Sequence, residues 1–159
     1  MIGYWLWGCG MSGGVVLDDR DLAILRLLAR NARVSFAEIG RVLGLSDVAV
    51  LKRVRRLEQL GVIQGYRVVV DPKKLGYSLI SITGVDVEPE HLFEVVEYLK
   101  ELNCVKFLAV TSGDHSVMAT IWARSSDELA RIHGELARRP GVKRVCPAIV
   151  LYTVKEEVL

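Results

Sequence analysis

Between Ser35 and Ile63 two apolar-periodic runs lie on either side of Gly44, and each is introduced by a serine. Ser35 with Glu38 three residues on makes a capping box. Val34 and Ile39 are spaced as the hydrophobic staple around it. Ile39, Val42 and Leu43 repeat at helical spacing, and Gly44 supplies the left-handed residue that ends a helix. Leu45 is the apolar anchor of the turn. Ser46 caps a second helix, with Asp47 in its first turn, where the helix dipole favours an anion. Two capped helices joined by so tight a turn must pack on each other.

At about 100° per residue the second helix sorts its side chains by face. Val50, Val54 and Leu57 fall on one stripe and face the core. Lys52 and Arg55 point the other way beside Val48 and Leu51, with Arg53 and Arg56 on opposite flanks. Residues 41–56 hold five basic side chains (Arg41, Lys52, Arg53, Arg55, Arg56) against one acid, Asp47. A basic face opposite the buried stripe, on a helix preceded by another helix and a turn, is the pattern of a helix-turn-helix presented to the major groove of DNA. A third helix precedes the pair. Leu17 and Leu22 form a staple around Asp18 as N-cap, with Asp19 and Asp21 in the first turn. Leu22, Leu25, Leu28 and Ala29 are its expected buried stripe, with Arg26, Arg30 and Arg33 outside. Helices from about residue 18 to 60 thus make a trihelical unit.

The 159 residues suffice for one domain or two small ones, and for a real core. The net charge of +2 conceals an asymmetry. Residues 15–66 carry nine bases against six acids, whereas residues 76–159 carry nine against twelve. The front part is therefore the one suited to phosphates. Cys9, Cys104 and Cys146 are odd in number and widely spaced, which points to free thiols in a reducing cytosol. His91, His115 and His133 are equally scattered, so no metal site is expected. No nucleophile elbow, P-loop or dinucleotide fingerprint is present. The opening MIGYWLWGCG is too short to span a membrane and lacks the charged region of a signal peptide. It reads either as residues outside a native start at Met11, or as an apolar arm that packs on a partner subunit.

Residues 64–77 form a connection in which Tyr66–Val70 is a β-branched run closed by Asp71-Pro72. It reads as a strand and turn, either a wing or a strand linking two domains. The remainder fits β-α-β-β-α-β. Leu79–Val87 is a strand, and Glu88-Pro89-Glu90 opens a helix striped by Leu92, Val95, Val96 and Leu99. Val105–Thr111 and Ser116–Trp122 are strands joined at Ser112-Gly113-Asp114-His115. Ser125 and Glu128 cap a helix through Leu129, Ile132, Leu136 and Ala137, and Ala148–Val154 is a last strand. That order is the ferredoxin-like split βαβ, a superfold that alone says little about function.

A trihelical helix-turn-helix, a connecting strand and a ferredoxin-like domain, in this order and size, resemble the leucine-responsive regulator/AsnC (Lrp/AsnC) family of transcription factors. The likeness covers residues 15 to about 155. It is most specific in LDDRDLAILRLLARNARVSFAEIGRVLGLS and VAVLKRVRRLEQLGVIQGY. The resemblance implies an α+β chain: a DNA-binding domain over 15–63, a linker over 64–77 and an effector-binding, oligomerising domain over 78–159, after an extension over 1–14. It implies a homodimer, often assembled into tetramers or octamers, and an amino acid or similar small effector bound where the C-terminal domains meet.

The DNA-contacting set expected on this basis is Arg41, Ser46, Val48, Leu51, Lys52, Arg53, Arg55 and Arg56. The family often has small polar residues where this chain has Val48 and Leu51. Contact with thymine methyls and burial against a neighbour both fit these two side chains. Base readout then leans on Lys52 and Arg55, with Arg41, Arg53 and Arg56 on phosphates. The effector set expected is Thr111, Gly113, Asp114 and His115. The family's hairpin typically reads Gly-Asp-Tyr-Asp, and here Gly113 and Asp114 match while His115 and Ser116 depart. Asp114 and backbone carbonyls can meet an ammonium group, although a hairpin chosen only for turn geometry would read the same.

The reading is a cytoplasmic, homo-oligomeric, sequence-specific transcription regulator with no cofactor. The alternative is an effector-sensing assembly module with weak, non-specific DNA binding. An enzyme is not expected. Asp114, His115 and Ser116 are neighbours on a hairpin whose side chains alternate sides, so they cannot converge as a triad.

Overall fold

The computed structural model describes residues 15–155, and the amino-terminal aromatic burst lies outside them. The chain separates into two compact units that divide between Val68 and Val69.

The first unit contains α1 (Asp19–Arg30), α2 (Phe36–Leu43) and α3 (Asp47–Gln59). Ile24, Leu28, Ile39, Val50 and Val54 are its buried core, and Leu57 is also fully buried. The serine caps form as read. Ser35 Oγ accepts the Glu38 amide at 3.1 Å, and Ser46 Oγ accepts the Ala49 amide at 3.2 Å. The reciprocal capping box is instead at α1, where Asp18 accepts the Asp21 amide at 2.7 Å and Asp21 accepts the Asp18 amide at 3.2 Å. The expected stripe of α1 needs correction. Asp21, Ile24 and Leu28 are the buried residues, while Leu22 and Leu25 are half-buried and Ala29 is exposed. Apolar spacing alone misplaces this face because a carboxylate, drawn inward by arginines of α3, belongs to it.

Gly44 ends α2 in the left-handed region, with φ 64°. Gly40 matters for a different reason. The Leu45 amide donates to the Gly40 carbonyl at 2.8 Å, and a Cβ at Gly40 would collide with the Leu45 carbonyl oxygen. The tight turn between α2 and α3 needs a residue without a side chain there.

The strand expected over Tyr66–Val70 is not formed: residues 64–71 adopt no regular secondary structure. β-branched residues prefer a pleat, but a ladder needs a second segment alongside, and no described segment provides one. Val68 and Val69 are exposed as a result. The start of this stretch is still tied to its own unit, since the Tyr66 hydroxyl donates to Glu58 at 3.0 Å.

The second unit is a four-stranded antiparallel sheet in the order β2-β3-β1-β4, with β1 Leu79–Val87, β2 Val105–Val110, β3 Val117–Ala123 and β4 Val142–Ile149. Helices α4 (Leu92–Glu101) and α5 (Ser126–Ala137) complete the βαββαβ order. The odd-numbered residues of β1 and β3 face these helices: Val85, Val117, Ala119 and Ile121 are buried with Val95, Leu99, Ile132 and Leu136. The even-numbered residues form the other, open face. The last strand also needs correction, since it runs over Val142–Ile149 rather than Ala148–Val154. Its register with β1 sets Val145 against Val85 and Cys146 against Gly84. Lys143, Arg144 and Pro147 obscured this strand in the sequence. At the sheet edge, however, exposed cations and a proline without an amide are tolerated.

Candidate functional site

On α3 the apolar stripe of Val50, Val54 and Leu57 is buried, which turns Lys52 and Arg55 to solvent. Arg41, at the end of α2, is also exposed. Among the described residues none of these three cations has an ion-pair partner. Val48 is 55% exposed, whereas Leu51 is half-buried. Ser46 is exposed, and its oxygen is occupied as the cap of α3; the hydroxyl proton remains available to donate.

Arg53 and Arg56 stand apart from the other cations. Arg53 Nη1 lies 2.7 Å from Asp18 Oδ2 and 2.8 Å from Asp21 Oδ1. Arg56 Nη2 lies 3.2 Å from Asp21 Oδ2 and 3.2 Å from the Val16 carbonyl. Asp21 is wholly buried. The Asp21 amide, followed by the Arg53 guanidinium, holds the Asp18 carboxyl below the usual carboxylate range, and the two carboxylates raise Arg53 in turn. The flanking arginines thus meet carboxylates within the protein. Sequence reasoning put Asp18 and Asp21 in a helix cap and missed this second role. The excess of Asp in the first turn of α1 was the available signal, but nothing in the sequence says which cations it meets.

In the second unit the β2–β3 hairpin carries the expected effector residues. Thr111, Gly113 and Asp114 are exposed, and the Thr111 hydroxyl donates to the His115 carbonyl. The hairpin folds His115 back over β1. Its ring occupies the space a Cβ would take at Gly84, so glycine is required there for close approach. His115 Nδ1 lies 2.7 Å from Asp86 Oδ1, and Arg144 Nε donates to Asp86 Oδ2 at 2.7 Å. His115, then Arg144, hold the Asp86 carboxyl below its ordinary range. His115 is therefore joined to Asp86, which Arg144 also holds, two residues the sequence did not single out. Ser116 Oγ turns to the backbone of Val87, so Asp114, His115 and Ser116 do not converge. No group of three or more metal-type side chains among the described residues is placed to hold an ion.

Both halves match known families. Residues 17–58 match the AsnC-type helix-turn-helix domain, and residues 80–159 match the Lrp/AsnC ligand binding domain. The HTH-type transcriptional regulator LrpA of Pyrococcus horikoshii is 51% identical over 141 residues, which cover 88% of this chain and 100% of LrpA. The HTH-type transcriptional regulator Ptr1 of Methanocaldococcus jannaschii is 38% identical over 76% of this chain and 81% of its own length. Among solved structures, E. coli AsnC superimposes with a TM-score of 0.82 at 26% identity, covering 91% of this chain and 99% of AsnC. With a helix-turn-helix whose cationic face is open and a ligand-binding domain following it along the chain, the chain belongs to the Lrp/AsnC family of HTH-type transcriptional regulators, proteins that bind DNA and are not enzymes.

Proposed function

We propose that this regulator reads DNA through Lys52 and Arg55 of α3, with Arg41 on a phosphate at the edge of the groove. The observation that carries the reading is the exposure of both cations directly opposite a fully buried stripe. A guanidinium or ammonium on that face is suited to guanine O6 and N7 in the major groove. Val48 supplies apolar contact for a thymine methyl, and half-buried Leu51 shapes the surface beside it. Ser46 donates its hydroxyl proton to a phosphate near the amino end of α3, where the helix dipole favours an anion. The test is binding to the DNA upstream of the chain's own gene, comparing wild type with Arg55→Ala. Loss of site preference supports the assignment, and unchanged preference removes Arg55 from the readout.

The second unit, on this reading, binds an amino acid or similar small molecule at the β2–β3 hairpin. Asp114 is exposed for an ammonium group, with Thr111 and Gly113 beside it. Asp86 and His115 brace the hairpin from behind. A thermal-shift screen against the common amino acids tests this, and a hit weakened by Asp114→Asn supports it.

The open face of the sheet, with Ile82 and Phe107 exposed among Ile80, Met118 and Trp122, is the surface on which a second copy assembles. An effector that favours one assembly would then alter the spacing of two DNA-binding units. No helix among the described residues is long and apolar enough to cross a membrane. On this reading the regulator works where the DNA is, in the cytoplasm.

A further inference from the structure

We propose that Asp18 and Asp21 form an internal seat, equivalent to a phosphate, that withholds Arg53 and Arg56 from DNA and fixes the pose of α3. Asp21 is thereby a positioning residue for DNA binding. The proposal rests on the reading that α3 meets DNA, and it divides the five cations of residues 41–56 into two classes.

Three observations carry it. The guanidinium fork matches a carboxylate as it matches a phosphate, and here two carboxylates already fill that role at 2.7 to 3.2 Å. The seat is held in place by its own helix: Asp18 Oδ1 is held by the Asp21 amide at 2.7 Å, and Asp21 Oδ2 by the Asp18 amide at 3.2 Å. Asp21 is also fully buried, so moving either arginine to a phosphate would expose a desolvated carboxylate to loss of its partner, which is costly. The same contacts cross from the start of α1 to the middle of α3, so they add to the buried Val50–Val54–Leu57 stripe in fixing how α3 is rotated about its own axis. That rotation decides that Lys52 and Arg55, not Arg53, face outward.

The test uses the full-length chain and a 30-base-pair duplex of random sequence, with affinity measured against salt. Each arginine newly placed on a phosphate steepens the log–log slope by about 0.9. Asp21→Asn is expected to steepen it by about 1, because Arg56 loses the carboxylate it meets while Asp18 still holds Arg53 at 2.7 Å, and Asp21→Asn/Arg56→Gln to bring it back by about 1. Asp19→Asn, which removes the same charge at an exposed position, controls for net charge. A purely structural role for Asp21 would leave the slope unchanged or shallower. An Asp21→Asn slope equal to or shallower than wild type, or an equal steepening in Asp19→Asn, overturns the proposal.

Should Asp21→Asn fail to fold, the arginine Nε–H resonances of the wild-type protein decide. On adding the duplex, Arg55 is expected to shift while Arg53 stays in place. A comparable shift of Arg53 overturns the seat and leaves the DNA reading intact. A flat salt response of the wild type, with Arg55 unmoved, removes both.

Discussion

Nε2 of His133, on α5, lies 3.0 Å from the hydroxyl of Thr83 on β1, which in turn meets the Ser81 hydroxyl at 2.9 Å. Ser81 and Thr83 are fully buried, so this short chain is the polar seam in an otherwise apolar helix–sheet layer. Buried hydroxyls need partners, and the imidazole provides the last one.

Burial pushes the His133 pKa down. Above the ordinary histidine value of about 6.5 the ring is neutral in both folded and unfolded chains. Below it the unfolded chain takes up the proton first, so stability falls with pH until the folded ring also protonates. Denaturant midpoints are expected to drop between pH 7.5 and pH 5.5 in the wild type. The drop should shrink in His133→Gln, whose amide can still meet Thr83. An equal drop in both proteins would assign the effect to other groups.

The turn between α2 and α3 gives a second expectation. Gly40→Ala forces a Cβ against the Leu45 carbonyl, and relieving such overpacking costs about 1–3 kcal/mol. The melting temperature of the variant should fall. DNA affinity should fall with it, because Leu45 and Ser46 lead directly into α3. A melting temperature equal to wild type would show that the turn relaxes freely.

Arg41 and Arg55 should fail in different ways when removed. Arg55→Ala is expected to cost about 1–3 kcal/mol on a specific site and to relax discrimination. Arg41→Ala should weaken specific and random duplexes alike and make the salt slope shallower by about 0.9. Isotherms on both duplexes at several salt concentrations separate the two patterns, and identical behaviour of the variants would contradict the division.

Much of the architecture was legible because it is written locally. Caps at Ser35, Ser46 and Ser125, the stripe Val50–Val54–Leu57 and the alternation of β1 are all set within a few residues. Pairings between distant segments were not legible. Arg53 and Asp21 are 32 residues apart, and His115 and Asp86 are 29 apart. Periodicity carries no signal for either, so the sequence reading put Arg53 and Arg56 on phosphates and His115 among the effector residues, with neither internal partner in view. β4 was displaced for the same reason, since its limits come from register against β1. Tyr66–Val70 shows the converse: residues with strand preference stay irregular where no described segment completes the ladder.

Gly84→Ala bears on the hairpin. The added methyl would displace the His115 ring from β1 and part it from Asp86. Amide spectra should then change at residues 111–116, and any amino acid found by thermal shift should bind more weakly. Unchanged hairpin resonances would mean that His115 does not hold this loop.

The most direct measurement is a nuclease footprint on the DNA upstream of the chain's own gene, comparing wild type with Lys52→Ala/Arg55→Ala. Both side chains are exposed, so the double variant should fold and melt like the wild type. The wild type is expected to protect a bordered site, and the variant to lose those borders. Equal protection with the same borders would contradict the assignment of this face of α3 to DNA readout.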